Sequence, residues 1–359
     1  MKLTFKNGCS PIGIDVGWRE VRAVQTERTR AGLRIRAAAC IGRRTPGAEL
    51  SGEEVARVVG ALRRQGFTGD RAVACVPAGK TLSGVLELPP RSSGAPLDLI
   101  ARQELARTAK KDVGEIEISW WELPGATGGR AALTSVLALG CAHADATALL
   151  DCLELAGGGG LDVLALDAAP TALARACASL LGEPPTLTAM LNIGHEAAQM
   201  LILSGTMVVY ERTLGEAGLR LLASGIANQL GSDEEVTDYV LRVHGCREPR
   251  VGEEDEAREA RALVAAHADA LAGELTASMT YASRRFDAGL GVSRALLVGP
   301  GAEVPGLAER IGARAGLETV VARADALCPG GRGIDPAVLG PGAVLALGLA
   351  LHESGGGAR

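Results

Sequence analysis

The sequence predicts a two-lobed α/β protein in which each lobe is headed by the same strand-turn-strand device. Three observations carry that expectation. The chain has 359 residues, long enough to build more than one hydrophobic core. Short apolar runs alternate with segments of helical periodicity along most of its length. A polar residue two places before a glycine also recurs between apolar strands, as I-G-I-D-V-G at 12–17 and L-N-I-G at 191–194. Asp15 and Asn192 stand 177 positions apart, as do Gly17 and Gly194. A device repeated at the head of each half is more informative than either copy alone.

Composition narrows the function classes. With 47% hydrophobic and 22% charged residues the chain is globular, not disordered. A net charge of -5 and the lack of a basic stripe argue against nucleic acid as a partner. No apolar run reaches the roughly 18 to 20 residues of a membrane span. The start M-K-L-T-F-K-N lacks the apolar stretch of a secretory signal. A cytoplasmic protein is expected. The eight cysteines are scattered without a C-x-x-C pair, which favours thiols in apolar surroundings over disulfides or a metal site. Forty-eight glycines and only nine aromatics point to cores that close by backbone approach.

In the first lobe, residues 11–24 form a β-turn-β with Asp15 at the end of its first strand. A third strand follows at 33–41. Residues 51–65 read as a helix, with Ser51 or Gly52 near its cap and Val55, Val58, Val59 and Leu62 on one face. Residues 71–77 are an apolar interior strand. The rhythm then changes across 84–167: strand 85–88, helix 96–109, strand 116–123, strand 131–141, helix 144–156, a glycine hinge at 157–160 and strand 161–167. This reads as an α+β subdomain inserted in the first lobe. Trp120 and Trp121 are adjacent and point to opposite faces, one toward core and one toward a partner groove. An alanine-rich helix at 167–181 precedes the break at 182–185.

The second lobe opens with strand-turn-strand at 187–202 and a strand at 208–212. A glycine-bearing turn and helix occupy 213–230, and a helix capped by Ser232 with Glu235 runs to Arg242. A long charged helix then extends to about Phe286. Strand 292–298, helix 307–315, strand 318–321 and an apolar helix at 341–351 complete the lobe. The expected organisation is a first lobe of 1–83 plus 162–183, an insertion at 84–161 and a second lobe at 184–351. Within the second lobe, about 213–290 is a helical subdomain, and 352–359 is a disordered tail.

A turn of successive N–H groups can wrap an anion, and an adjacent Asp can hold the water shell of its counter-cation. The familiar G-x-x-x-x-G-K-[ST] loop is absent. The order and spacing of I-G-I-D-V-G, C-V-P (75–77), L-E-L-P (86–89), L-N-I-G, Y-E-R-T-L-G-E-A-G (210–218), S-D-E-E-V (232–236), L-L-V-G-P-G-A-E-V-P-G-L (296–307) and A-L-G-L-A-L (346–351) resemble the sugar kinase, Hsp70 and actin superfamily. Within it the chain resembles the PilM family of the type IV pilus inner-membrane platform, and FtsA less so. The resemblance implies an actin-like, ribonuclease H-like two-lobed fold with a duplicated β-β-β-α-β-α core and the inserted subdomain that PilM shares with FtsA.

That resemblance also implies a site for ATP and Mg²⁺ between the lobes. Asp15, Gly17, Trp18 and Arg19 would make the first phosphate loop, with Asp15 reaching Mg²⁺ through water and serving as the candidate catalytic acid. Asn192, Gly194 and His195 would make the second. Gly215 and Glu216 would lie near the nucleotide, and Gly299 and Gly301 would form the adenosine loop. The implied partner is the cytoplasmic N-terminal segment of a PilN-like inner-membrane protein, whose binding recruits further platform proteins; a homo-oligomer is left open by the sequence.

Departures from the family pattern redirect the expectation. Trp18 and Arg19 stand where small hydroxyl residues are usual, and Asn192 where Asp is usual. Ala197 and Ala198 leave no Ser or Thr in the second loop. Thr237 and Val240 replace an expected Glu and Lys, and Pro300 replaces a glycine. Phosphoryl transfer needs aligned metal, water and charge, and these substitutions weaken each support. The expected function is a scaffold that binds nucleotide weakly or not at all, a pseudo-ATPase or slow ATPase at the inner-membrane face. The alternatives are an equivalent subunit of a type II secretion platform, or an active ATPase or small-molecule kinase with Asp167 as its tempting acid. A membrane-tethered filament former is set aside because the tail E-S-G-G-G-A-R lacks a basic amphipathic helix.

Overall fold

The computed structural model describes residues 8–124, 133–154, 159–184, 186–247, 255–286 and 291–352. Strands β1 (Ile12–Val16), β2 (Glu20–Thr29) and β3 (Gly32–Gly42) form an antiparallel meander. Helix α1 (Gly52–Arg64) crosses to β4 (Arg71–Cys75), which pairs parallel with β1. The insertion contributes β5 (Thr81–Leu88), α2 (Leu97–Ala109), β6 (Ile116–Glu122) and β7 (Thr134–Ala142). Its sheet has the order β5-β7-β6. Helix α3 (His143–Glu154) then leads back to β8 (Asp162–Asp167) and α4 (Ala169–Ala176), giving a first sheet ordered β3-β2-β1-β4-β8.

The second lobe repeats that sheet. Strands β9 (Leu187–Ile193), β10 (Ala198–Ser204) and β11 (Met207–Leu214) are again an antiparallel meander. Helices α5 (Leu219–Leu230), α6 (Glu234–Val243) and α7 (Asp255–Arg285) precede β12 (Val292–Val298), α8 (Leu307–Ala315) and β13 (Glu318–Val321). The order β11-β10-β9-β12-β13 matches the first sheet strand for strand. The predicted duplicated α/β fold is therefore present, with a third small sheet inserted in the first half.

Some local readings shift. Helix α6 is capped by Asp233, whose carboxylate accepts from Val236 N at 2.9 Å, and not by Ser232. A carboxylate complements the positive helix start better than a hydroxyl, and Ser232 instead pairs with Thr237 Oγ1 at 3.0 Å. The alanine-rich helix ends at Ala176 and continues as a 3₁₀ turn, Ala178–Leu180. The 3₁₀ turn Pro336–Leu339 and the short helix α9 (Ala324–Leu327) lie where the sequence suggested no element. Residues 157 and 158 of the glycine hinge and the whole of residues 353–359 lie outside the described residues. All eight cysteines are free thiols, with Cys75, Cys177 and Cys328 buried.

The insertion is tied to the second lobe. Trp121 Nε1 donates to the Val208 carbonyl at 2.8 Å, while Trp120 donates to Asp98 Oδ1 at 2.8 Å under the Arg91 guanidinium. On the second-lobe side, Arg285 at the end of α7 bridges Glu87 of β5.

A C-terminal helix, α10 (Val344–Ala350), returns from the second lobe and packs between β1 and α4. That contact is made of backbone. A Cβ on Gly13 would lie 2.0 Å from Ala346 O, and one on Gly348 would lie 2.0 Å from Ala172 O. Strand β1 is thus covered on both faces: Ile12 and Ile14 face α1 in one core, Gly13 faces α10. Asp15 shares the face of Gly13 because alternate strand residues point the same way.

At the end of β8, Asp167 anchors the returning chain. Its carboxylate accepts from the Thr171 hydroxyl (2.8 Å) and from Arg175 (2.9 Å), and lies 3.1 Å from His352 Nδ1. Burial raises its pKa, but the His352 bond, the Arg175 charge and the Thr171 hydroxyl outweigh that and bring it down to about 2. A carboxylate depressed in the fold adds stability above its unfolded pKa and loses it as pH falls. Asp167→Asn is expected to cost about 2 kcal/mol at pH 7. The difference from wild type should vanish toward pH 2. Urea melts at pH 7 and pH 3 measure this; an equal cost at both would show that the charge is not what matters.

Candidate functional site

The two hairpin turns face each other across the interlobe cleft. Hairpin register forces this placement for the first: β1 pairs Val16 with Val21 and Asp15 with Arg22, leaving Gly17, Trp18 and Arg19 at the tip. Gly17 N donates to Glu20 O at 2.9 Å and Gly194 N to Ala197 O at 3.0 Å, so both turns close alike. The second turn is held by helix α5, whose first N–H groups are otherwise unpartnered. Leu219 N donates to Gly194 O at 3.1 Å and Arg220 N to His195 O at 2.8 Å. Gly218 lets that helix approach, since a Cβ there would lie 2.3 Å from Glu196 C.

Between these turns is a cleft of about 310 Å³. Asp15, Gly17, Trp18, Arg19, Asn192, Gly194, His195 and Gly299 all line it. Gly301 does not; it is buried against Ile193, whose side chain a Cβ would meet at 2.2 Å. Gly215 and Glu216 are exposed and outside the lining. Gly299, at φ +82, sits where its Cβ would be 2.5 Å from Asn192 Oδ1. Pro300 starts the following 3₁₀ turn and also lines the cleft. Asp167 is not in the lining.

The turn tips touch. The Trp18 and His195 rings stack with centroids 5.0 Å apart and planes 27° apart. Arg19 reaches over the cleft to helix α6, donating to Asp238 Oδ1 at 2.8 Å and pairing with Glu234. Trp18 has a prepared seat: its carbonyl accepts from Gly47 N at 2.9 Å, and a Cβ on Gly47, at φ +75, would lie 2.3 Å from Trp18 Nε1. Burial, and then the nearby Arg19 charge, hold His195 down to about 4. Its ring is neutral at pH 7 and stacks as an uncharged aromatic.

Asp15 occupies the cleft floor. Burial raises its pKa to about 6, against the lowering effect of Arg22; Glu20 adds to the rise. Arg22 pairs with Glu20. Asn192 Nδ2 donates to Gln199 Oε1 at 3.2 Å, and behind it lies the buried Glu211, which accepts from the Thr213 hydroxyl at 2.8 Å. The lining carries five carboxylates (Asp15, Glu20, Glu196, Asp238, Glu303) against three guanidiniums (Arg19, Arg22, Arg242). Two of those guanidiniums are already in ion pairs.

Sequence reading missed Arg22, Glu20, Asp238 and Glu303. The first was within reach, because counting back from a closed hairpin turn places Arg22 opposite Asp15. Asp238 was not, since it meets Arg19 across 219 positions. Among the described residues no group of three or more His, Cys, Asp or Glu is arranged to hold a metal ion, and no helix is long and apolar enough to cross a membrane.

The model of the family described as type IV pilus assembly protein PilM matches residues 13–354. A solved PilM-PilN type IV pilus biogenesis complex contains a chain similar to this one, with a TM-score of 0.73 and 19% identity, covering 95% of this chain and 98% of that one. The ethanolamine utilization protein EutJ from Carboxydothermus hydrogenoformans is also similar, with a TM-score of 0.54 and 14% identity, covering 97% and 92%. At such identities the likeness is one of fold. A comparison with curated protein sequences gives no match.

Proposed function

The chain belongs to the family of type IV pilus assembly protein PilM, and from that premise we propose that it is an actin-like scaffold of a pilus assembly platform. It works at the cytoplasmic face of the inner membrane and binds the cytoplasmic N-terminal segment of a PilN-like membrane protein, through which it reaches the other platform proteins. Similarity to the PilM chain of a PilM-PilN complex supports that partner class.

The observation that carries the scaffold reading is the contact across the cleft. Trp18 and His195 fill the gap between the turns, and Arg19 is spent on Asp238 and Glu234. Mg-ATP needs the opposite: unengaged donors for its phosphates and several oxygen ligands for its metal. Here the acids outnumber the bases, Asn192 brings no charge to a metal, and of the lining acids Glu20 and Asp238 are already paired with Arg22 and Arg19. The residues present do not fit a Mg-polyphosphate well, and no catalytic step is assigned to them. Asp167, the acid a small-molecule kinase reading would need, is engaged by Thr171, Arg175 and His352.

Isothermal titration tests both halves of the proposal. The protein is expected to bind a peptide of the partner's cytoplasmic segment with or without Mg-ATP, and to release phosphate no faster than an Asp15→Ala variant. Tight Mg-ATP binding with turnover that this variant abolishes would make it an ATPase. Binding to a secretion-platform segment in preference to the pilus one would assign it to that machine.

A further inference from the structure

We propose that Trp18 and Arg19 form an internal latch that selects against polyphosphate ligands: they tie the lobes together in the space between the two turns, so a ligand reaching both turns must first displace them. The proposal rests on the scaffold reading above, and its consequence is that an uncharged ligand is admitted in preference to a polyphosphate, with adenosine and its triphosphate as the probe pair.

Two independent contacts make the latch. One is aromatic, Trp18 on His195, from turn to turn. The other is ionic, Arg19 on Asp238 and Glu234, from turn to helix. Their geometry is not that of side chains resting where they fall. Gly47 leaves room for the Trp18 indole, and Arg43 N donates to the Arg19 carbonyl at 2.7 Å. On the far side, α5 donates two backbone bonds to the turn that carries His195. Both ends of the latch are therefore anchored in their own lobes before they meet.

The chemistry of exclusion follows. An anion entering between the turns would have to unstack the rings and compete with two carboxylates for Arg19. It would meet Glu20 and Glu196 on the walls, where like charges repel. A nucleoside carries no such charge and need not reach the turn tips, and the cleft volume of about 310 Å³ is at the low end of small-molecule sites. Coupling is reciprocal: a ligand that opens the latch raises the affinity for phosphates by the factor by which phosphates raise its own.

The test compares wild type, Trp18→Ser with Arg19→Ser, and Asp238→Asn, using adenosine and Mg-ATP as probes. Wild type is expected to bind Mg-ATP no more tightly than adenosine. In the double variant the ratio should move toward Mg-ATP by about tenfold, with adenosine affinity held within about twofold. Hydrogen exchange should quicken in residues 194–197 and 234–243 and stay unchanged in α1, which also shows that the variant is folded. Asp238→Asn, made on the opposite lobe, should quicken exchange in the same segments. An unchanged ratio, or unchanged exchange in the folded double variant, overturns the latch. Wild type that binds Mg-ATP tightly overturns the scaffold reading, and binding tighter than that of adenosine overturns the selectivity as well, while the shift in ratio and exchange decides whether Trp18 and Arg19 tie the lobes.

Discussion

Gly13→Ala is expected to lower the melting temperature by roughly 5–10 °C, a loss of about 3 kcal/mol or more. One methyl group suffices because the neighbours are backbone. Its carbon would lie 2.0 Å from Ala346 O and 2.3 Å from Ala350 N, and a helix backbone cannot step aside as a side-chain tip can. Helix α10 would have to lift from β1, and with it the packing of Leu349 against Val73 and Ala172. The change should also disturb the cleft, since Asp15 lies two residues along the same strand face. Gly225→Ala is the contrast. No atom lies within 4 Å of its added carbon, it is exposed in the middle of α5, and alanine there should stabilise by about 0.5–1 kcal/mol. Thermal melts of the two variants decide it. A Gly13→Ala protein that melts with wild type would mean that α10 docks more loosely than this packing requires.

The same glycines show what sequence could and could not reveal. The fold was legible because its signals are local: the doubled strand-turn-strand, apolar periodicity and helix starts depend on neighbours in the chain. The close backbone approach was foreseen only as a tendency of a glycine- and alanine-rich core. Which glycine would meet which carbonyl depends on α10 crossing back to the first lobe, which no local pattern encodes. The site divides in the same way. Asp15, Gly17, Asn192 and Gly194 come together because hairpin tips at the heads of two matched sheets must face one cleft. Gly215 and Glu216 lie outside it, and Gly218, three residues on, is the glycine that α5 needs against the second turn. By sequence, Trp18 and Arg19 are departures from a phosphate-loop pattern. What they contact instead, His195 and helix α6, is set by how the lobes close.

Asp15→Asn is expected to stabilise the protein at pH 8 by up to about 3 kcal/mol while removing the charge from the cleft floor. The sign follows from the titration. An unfolded Asp titrates near 3.8, and burial carries this one to about 6. Between those values the folded chain holds a proton that the unfolded chain has released. The contribution of Asp15 is therefore most favourable below about pH 4, falls as pH rises toward 6, and is a constant penalty above that. His195, held down to about 4, acts in the opposite sense, because the unfolded chain takes up its proton first as pH falls from 6.5. The wild-type curve mixes the two, so the measurement is the difference between wild type and Asp15→Asn in denaturant melts from pH 4 to pH 8. That difference should be near zero at pH 4 and grow to its plateau above pH 6. A variant less stable than wild type at pH 8 would mean that Arg22, opposite Asp15 in the hairpin, supports the carboxylate charge well enough to offset its burial. If the predicted gain is found, the fold bears the cost of a charged carboxylate at the cleft floor without needing it for stability. That is the pattern of a group kept for binding, in a cleft across which Trp18, Arg19 and His195 are already engaged.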